Sequence, residues 1–259
     1  MNRCPVNQVP GRPGRPNVGH VADAHYENPR LAALYDPLDS DRPDLEVYAA
    51  MAAEFGARDV LDIGCGTGTF ACLLAARGFA VTGLDPALAS LEIARAKEFG
   101  DRVRWVHGPA DALPPLQVDL VTMTGNVAQV FLTDADWAAV LAAARAALRP
   151  GGRLVFETRD PARRAWLGWG SESSAVVPGI GGLTTRRVVT GVRGEFVTFR
   201  VTYAFASDGA VLTADSTLRF RGRDAITESL AAVGLAVAEV RDAPDRPGLE
   251  LVFIATPAG

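Results

Sequence analysis

Apolar and polar residues alternate along this chain at two periods. Side chains recur at helical spacing over His25 to Tyr35 and over Leu45 to Phe55, predicting two helices joined by a Pro/Asp-rich segment from Asp36 to Pro43. A short apolar run bounded by glycine, Val60–Ile63, predicts a buried strand, and Phe70–Arg77 returns to the helical period. The exchange then repeats. Ala80–Leu84 predicts a strand, Ala87–Phe99 a helix, Val103–Val106 and Val118–Met123 strands, Asp134–Leu148 a long alanine-rich helix and Arg153–Thr158 a further strand. Strand and helix in alternation, with short joints, predict a parallel sheet covered on both faces.

The pattern changes after about residue 160. Thr184–Val192, Phe196–Phe205 and Val211–Phe220 are β-rich and separated by Arg193-Gly194 and Ser207-Asp208-Gly209. They predict an antiparallel meander of about three strands. A helix over Asp224–Val233, ended by Gly234, and strands over Ala236–Val240 and Leu249–Ala255 follow. Residues 1–20 carry Pro5, Pro10, Pro13 and Pro16 and almost no apolar run, which predicts a disordered tail. The expected segments are therefore 1–20, 21–56, 57–160, 161–222 and 223–259.

Composition narrows the class. The chain has 259 residues, 48% hydrophobic and 22% charged, enough for a sizeable core. It contains no apolar stretch of the roughly 18 residues a membrane-spanning helix needs, and no apolar leader, so a cytoplasmic setting is expected. A net charge of −4 argues against a nucleic-acid partner. Cys4, Cys65 and Cys72 are scattered, with no metal-site or disulfide spacing, so no metal is expected. Of the 26 basic residues only Lys97 is a lysine, which alongside the abundant alanine reads as GC-rich codon usage.

Most of the chemistry lies at the first strand–helix joint, Val60-Leu61-Asp62-Ile63-Gly64-Cys65-Gly66-Thr67-Gly68. Gly64 and Gly66 let the backbone approach a ligand and reach positive φ. The helix start that follows offers free amides and a partial positive potential. Asp85 ends the next strand, where a carboxylate can accept hydrogen bonds from both hydroxyls of a ribose. Together these residues describe a nucleoside pocket at the carboxyl ends of a parallel sheet.

Three features narrow the ligand. Asp62 stands two residues before the first glycine, where a dinucleotide fold would place an apolar residue. The glycines are spaced GxGxG rather than GxGxxG. Leu148-Arg149-Pro150-Gly151-Gly152-Arg153-Leu154 closes the long helix with a proline–glycine turn directly before a strand. On these motifs the chain resembles the class I S-adenosylmethionine-dependent methyltransferases of small-molecule type, over residues 30 to 160 and, in element order, over 224 to 257. The resemblance implies an α/β fold: a Rossmann-like, doubly wound, seven-stranded sheet with its last strand antiparallel, and a small antiparallel β insertion between strands five and six.

The resemblance also implies S-adenosylmethionine as cofactor and assigns roles by position. Gly64 and Gly66 take the methionine and ribose portion, Asp62 orients the amino group directly or through water, and Asp85 holds the ribose hydroxyls. Cys65, needed only as a small side chain, Pro86 and Thr124 complete the expected cofactor lining. Family members carry an acid directly after the glycine of the loop His107-Gly108-Pro109-Ala110-Asp111, where it binds the adenine amine. This chain has Pro109 there, so either Asp111 substitutes or backbone around Ala110 and stacking hold the ring.

The acceptor side is expected at the same sheet edge, with residues 21–56 as lid and 161–222 as wall. Asn126, Gln129, Glu157 and Arg159 are the candidate substrate contacts. By strand alternation Glu157 and Arg159 point to one face, where they can also simply pair. His25, Tyr35 and Glu157 are the candidate catalytic groups, His25 because imidazole is the usual base near neutral pH; His20 is a more remote candidate. Trp166 and Trp169 read as packing aromatics or pocket lining, Trp137 as core and His107 as packing beside the adenine loop. Arg186 and Arg187 leave an anionic acceptor open.

The expected reaction is methyl transfer to an N or O nucleophile of a small molecule, carried mainly by alignment. One alternative is an NAD(P)-dependent oxidoreductase, which would want GxGxxG and a Tyr–Lys pair, with Lys97 on a peripheral helix as the sole lysine. The other is a non-catalytic S-adenosylmethionine-binding protein. Oligomeric state is open.

Overall fold

Buried strands need apolar side chains on both faces, and the continuous runs of the sequence become the centre of the sheet. In the computed structural model, which describes residues 23–243 and 245–258, the strands are β1 (Asp59–Ile63), β2 (Ala80–Asp85), β3 (Val103–His107), β4 (Val118–Met123), β5 (Leu148–Arg159), β6 (Ser171–Val177), β7 (Gly181–Arg193), β8 (Phe196–Phe205), β9 (Val211–Arg219), β10 (Leu235–Asp242) and β11 (Glu250–Pro257). The seven-stranded sheet has the order β10-β11-β5-β4-β1-β2-β3, and a separate sheet the order β6-β7-β8-β9. β11 pairs antiparallel with both β5 and β10, while β5-β4-β1-β2-β3 are parallel. This is the expected doubly wound α/β fold with its antiparallel insertion. The predicted tail and His20 lie outside the described residues.

The helices are α1 (Ala24–Glu27), α2 (Pro29–Ala32), α3 (Tyr35–Leu38), α4 (Pro43–Glu54), α5 (Thr69–Ala76), α6 (Leu88–Ala96), α7 (Asp134–Ala147) and α8 (Arg223–Ala232). α4 and α5 cover one face of the large sheet through Leu45, Tyr48, Phe70 and Leu74, which pack on Val60, Leu120 and Val155. α7 and α8 cover the other through Trp137, Val140, Leu141, Ile226 and Leu230, which pack on Leu61, Val121 and Phe253. On α7 the buried positions fall at helical spacing. Its start is fixed by Thr133, whose hydroxyl accepts from the Asp136 amide (3.0 Å) and donates to the Asp136 carboxylate (2.6 Å). Among the described residues no helix is long and apolar enough to cross a membrane.

Four expectations need correction, each for a local reason. The helix expected over His25–Tyr35 is three four-residue pieces. Asn28 sits in extended backbone before Pro29, where a proline disfavours helical geometry, and its side chain caps the new start at Arg30 and Leu31 (3.0 and 3.4 Å). The helix expected to reach Phe99 ends at Ala96. The chain there folds back so tightly that a Cβ on Gly100 would lie 2.4 Å from the Ala94 carbonyl oxygen, and Lys97 leaves in extended conformation. The proline–glycine segment is not a turn closing a helix at Leu148. β5 already begins at Leu148, and Arg149–Gly152 is an irregularity between the pairs Val118↔Leu148 and Leu120↔Arg153. The meander has four strands, not about three. β6 is exposed along nearly its whole length and reads Ser-Glu-Ser-Ser and then Ala-Val-Val, so it carries no hydrophobic alternation; cross-strand hydroxyl pairs Ser173–Thr185 (2.8 Å) and Ser174–Thr184 (2.9 Å) help hold it to β7.

The insertion is joined to the N-terminal segment. Leu31 and Leu34 are buried against Leu183, Val201, Tyr203, Phe205 and Ala214. Arg30 pairs with Asp208 (2.8 Å) and lies 3.6 Å from the centroid of Phe205.

Phe156 and Phe253 stack at 5.3 Å across the β5–β11 pair, both fully buried. Phe253→Ala is expected to cost about 3–5 kcal/mol of stability, measured by urea unfolding.

Candidate functional site

Contacts as well as dihedrals shape the turn between β1 and α5. Gly64 and Gly66 adopt φ of +71° and +53°. A Cβ built on Gly64 would stand 2.6 Å from both γ-carbons of Val127, so the turn lies against the loop after β4 only with glycine there. A Cβ on Gly66 would meet nothing within 4 Å, so that position faces open space. The amides of Gly64 and Cys65 donate to the Leu84 carbonyl (2.8 and 3.1 Å). The Gly66 amide donates to Asp85 Oδ2 (2.8 Å), and the Ala87 amide to Asp85 Oδ1 (2.7 Å). Burial pushes the Asp85 carboxyl up in pKa, and these two donors oppose it.

In front of the turn lies a cavity of about 430 Å³, at the carboxyl ends of β1, β2 and β4, where the strand order reverses. Asp62, Gly64, Cys65, Gly66, Asp85, Pro86, Ala110, Asp111 and Thr124, the positions expected to line the cofactor, all line this cavity. Asp62 is almost fully buried and accepts from the Thr122 hydroxyl (2.9 Å). Burial raises its pKa to about 7, with the charge of Asp85 adding and the Thr122 bond opposing. Burial also lifts the Cys65 thiol well above its ordinary range, so it is no nucleophile. His107 packs beside the loop, with Nε2 3.1 Å from the Pro86 carbonyl oxygen.

The N-terminal segment and the start of α5 supply further lining residues. Tyr35, a candidate, lines the cavity, and so do Tyr26, Arg42, Thr67, Thr69 and Phe70. The rings of Tyr26 and Tyr35 lie 6.0 Å apart, and burial raises both phenols, so both stay protonated near pH 7, with Tyr35 accepting a hydrogen bond from Arg42. Arg42 is held by Asp44 (2.7 Å). It is the one base in the acidic joint Asp36-Pro37-Leu38-Asp39-Ser40-Asp41-Arg42, a signal available in the sequence. His25 does not line the cavity. It stands edge-on to Tyr26 (4.9 Å), with Nδ1 2.6 Å from the Tyr203 hydroxyl. Burial, with the charge of Arg187, lowers its pKa to about 4, so it is neutral near pH 7.

The candidate substrate contacts Asn126, Gln129, Glu157 and Arg159 are gathered together behind the cavity wall, and none of them lines it. Glu157 accepts from the amides of Gly125 (2.6 Å) and Asn126 (3.1 Å) and from the Tyr48 hydroxyl. The Asn126 side chain donates to Glu250 (3.0 Å), which holds a non-glycine residue at φ +62°. Arg159 donates to Gln129 Oε1 (2.9 Å) and pairs with Glu250 (3.4 Å). Glu157 and Arg159 thus take different partners, and the cluster supports the loop from Thr124 to Val127 from behind. Trp137 is core. Trp166 and Trp169 pack on Phe220 at 4.7 and 5.9 Å, and Trp166 also lines a second cavity with Leu167 and Val192.

Residues 60–152 match a family model described as a methyltransferase domain. The chain is 32% identical over 163 residues to a ubiquinone biosynthesis O-methyltransferase of Klebsiella pneumoniae, a match that covers 59% of this chain and 66% of that protein. To the protein of the same description from Escherichia fergusonii it is 31% identical over 166 residues, covering 60% of this chain and 68% of the other. The structure superimposes on an S-adenosylmethionine-bound amino pentose methyltransferase from Micromonospora echinaspora with a TM-score of 0.67 at 26% identity, covering 87% of this chain and 95% of that one. The domain match spans the β1–β5 unit that builds the cavity, and the Escherichia likeness extends over more than two thirds of that protein. The chain therefore belongs to the S-adenosylmethionine-dependent methyltransferases.

Proposed function

We propose that the protein moves a methyl group from S-adenosylmethionine to a small nucleophilic acceptor held beneath residues 24–42. The observation that carries this reading is the meeting, in one cavity, of the glycine turn, two buried carboxylates and a lid guanidinium. The residues fit the cofactor: Gly66 opens onto the cavity, and Gly64 leaves room only for backbone against Val127. Asp85, fixed by the Gly66 and Ala87 amides, accepts the ribose hydroxyls with its remaining lone pairs. Asp62 meets the amino group, and Arg42, oriented by Asp44, meets the carboxylate. Asp111 and Ala110 border the adenine end of the same cavity.

When bound, S-adenosylmethionine supplies an already activated methyl, so the chain's task is placement and exclusion of water. Alignment of that kind is worth about 7–11 kcal/mol of barrier. Tyr26 and Tyr35, protonated by burial, cover the cavity without acting as bases. A small amine is the acceptor class this lining favours. Beyond Asp62, Asp85 and Asp111, the cavity carries Asp23 and Asp136 against the single guanidinium of Arg42. The net charge of −4 points away from nucleic acid in the same way.

Calorimetry with S-adenosylhomocysteine tests the assignment, and binding of NAD in its place would overturn it. Asp85→Asn is expected to raise the Kd for S-adenosylhomocysteine about ten- to hundredfold, from loss of about 1.5–3 kcal/mol of charge-assisted hydrogen bonding. A second expectation concerns pH. The ligand's ammonium favours ionised Asp62, whose pKa in the free protein is about 7, so binding should release a proton below that pH. Affinity should then fall by up to about tenfold per pH unit as pH drops below 7. Titrations in buffers of different ionisation enthalpy between pH 6 and pH 8 measure both effects.

A further inference from the structure

Lys97, the chain's single lysine, is neither peripheral nor merely solvated. Where α6 stops and the backbone turns outward, its ammonium lies 2.7 Å from Asp36 Oδ2, 2.7 Å from the Thr69 hydroxyl and 3.2 Å from the Thr67 hydroxyl. Both hydroxyls in turn donate to Asp36 Oδ1, at 2.6 Å from Thr67 and 3.1 Å from Thr69. The set closes on itself. All three ammonium protons are used, each hydroxyl gives its proton to the carboxylate, and each accepts from the lysine. A planar guanidinium presents its donors in a fork and does not converge on three acceptors around one point.

The cluster joins three parts of the molecule. Asp36 belongs to α3, next to Tyr35, while Thr67 and Thr69 belong to the glycine turn and the start of α5; Tyr35, Thr67 and Thr69 all line the cavity. Helices of four residues are far below the length that holds itself together in water, so α1, α2 and α3 depend on such anchors. On the insertion side the anchors are Leu31, Leu34 and the Arg30–Asp208 pair. On the core side Glu27 accepts from the Leu88 amide (2.9 Å) and Ser90 donates to the Tyr26 carbonyl (2.9 Å). The Asp36 cluster, unlike these two, ties the lid to residues that border the cavity.

We propose that Lys97 is a positioning residue that latches the lid to the glycine turn, so that cofactor capture and ordering of residues 24–38 are one event. The proposal rests on the reading of the cavity as the S-adenosylmethionine site. The test compares wild type, Lys97→Met, Asp36→Asn, Thr69→Val and the Lys97→Met/Asp36→Asn double variant. Calorimetry gives the Kd for S-adenosylhomocysteine, and amide exchange follows residues 24–38 with and without saturating ligand.

Wild type is expected to gain protection across 24–38 on binding. Each single variant is expected to raise the Kd about three- to tenfold and to lose that gain at saturation. The double variant should bind no worse than the weaker single one, because both remove the same interaction. Wild-type protection in saturated Lys97→Met and Thr69→Val, or a double-variant Kd equal to the product of the single effects, overturns the latch alone. Failure of wild type to bind S-adenosylhomocysteine overturns the cavity assignment and the latch with it.

Discussion

The carboxylate of Asp85 couples the first two strand–helix joints of the sheet. One oxygen takes the Gly66 amide and the other the Ala87 amide, so this side chain adds to the Gly64 and Cys65 amide bonds to the Leu84 carbonyl in joining the ends of β1 and β2. Burial makes an ionised carboxylate costly, and amide donors are what make it tolerable there. The position of the glycine turn follows from this bond, and the fit of Gly64 against Val127 follows from the turn. These bonds together fix the front wall of the cavity.

A second buried polar system fixes the back wall. Glu157 and Glu250 are both nearly inaccessible, and neither is left alone. Glu157 takes two loop amides and the Tyr48 hydroxyl, while Glu250 takes Asn126, Arg159 and Arg246. Buried charges of this kind demand partners on every side, which is why side chains at the functional edge of β5 are consumed in support. The strained backbone at Asn126 is a product of the same clamp: Glu250 and the Glu157–amide bonds hold it where a non-glycine residue rarely sits.

What could be read from the sequence divides along the same physical line. β1, β2 and β4 were legible because burial on both faces leaves continuous apolar runs, and the glycine turn because its demands on backbone are local. β6 was not, since an exposed edge strand whose first four residues are serine and glutamate and whose last three are apolar has no alternation to display. The roles of Glu157 and Arg159 were left open between substrate contact and pairing because alternation tells which face a side chain leaves from, not which partner it meets. Arg42 lies 20 residues before Asp62 and Lys97 lies 12 residues after Asp85, on elements outside the glycine turn, and only the folded chain brings them to the cavity or its rim. For Lys97 the sequence did hold a clue, a lone lysine where every other basic residue is arginine, but composition alone assigned it to codon usage.

The attachments of residues 24–38 to the insertion and to the glycine turn have unequal character. Toward the insertion the contact is mainly apolar, with Leu31 and Leu34 in a shared core with Leu183, Val201 and Phe205, and is flanked by the Arg30–Asp208 pair and the His25–Tyr203 hydrogen bond. Toward the glycine turn it is a small ring of charges and hydroxyls, with Lys97 and Asp36 partly open to solvent. Apolar burial is non-directional and tolerates small shifts, whereas a closed set of donors and acceptors is either made or broken. Residues 24–38 are therefore joined to the insertion through a shared apolar core and to the glycine turn through a polar seam. On the proposed reading, the seam at Asp36 is where ordering of residues 24–38 is coupled to the cavity.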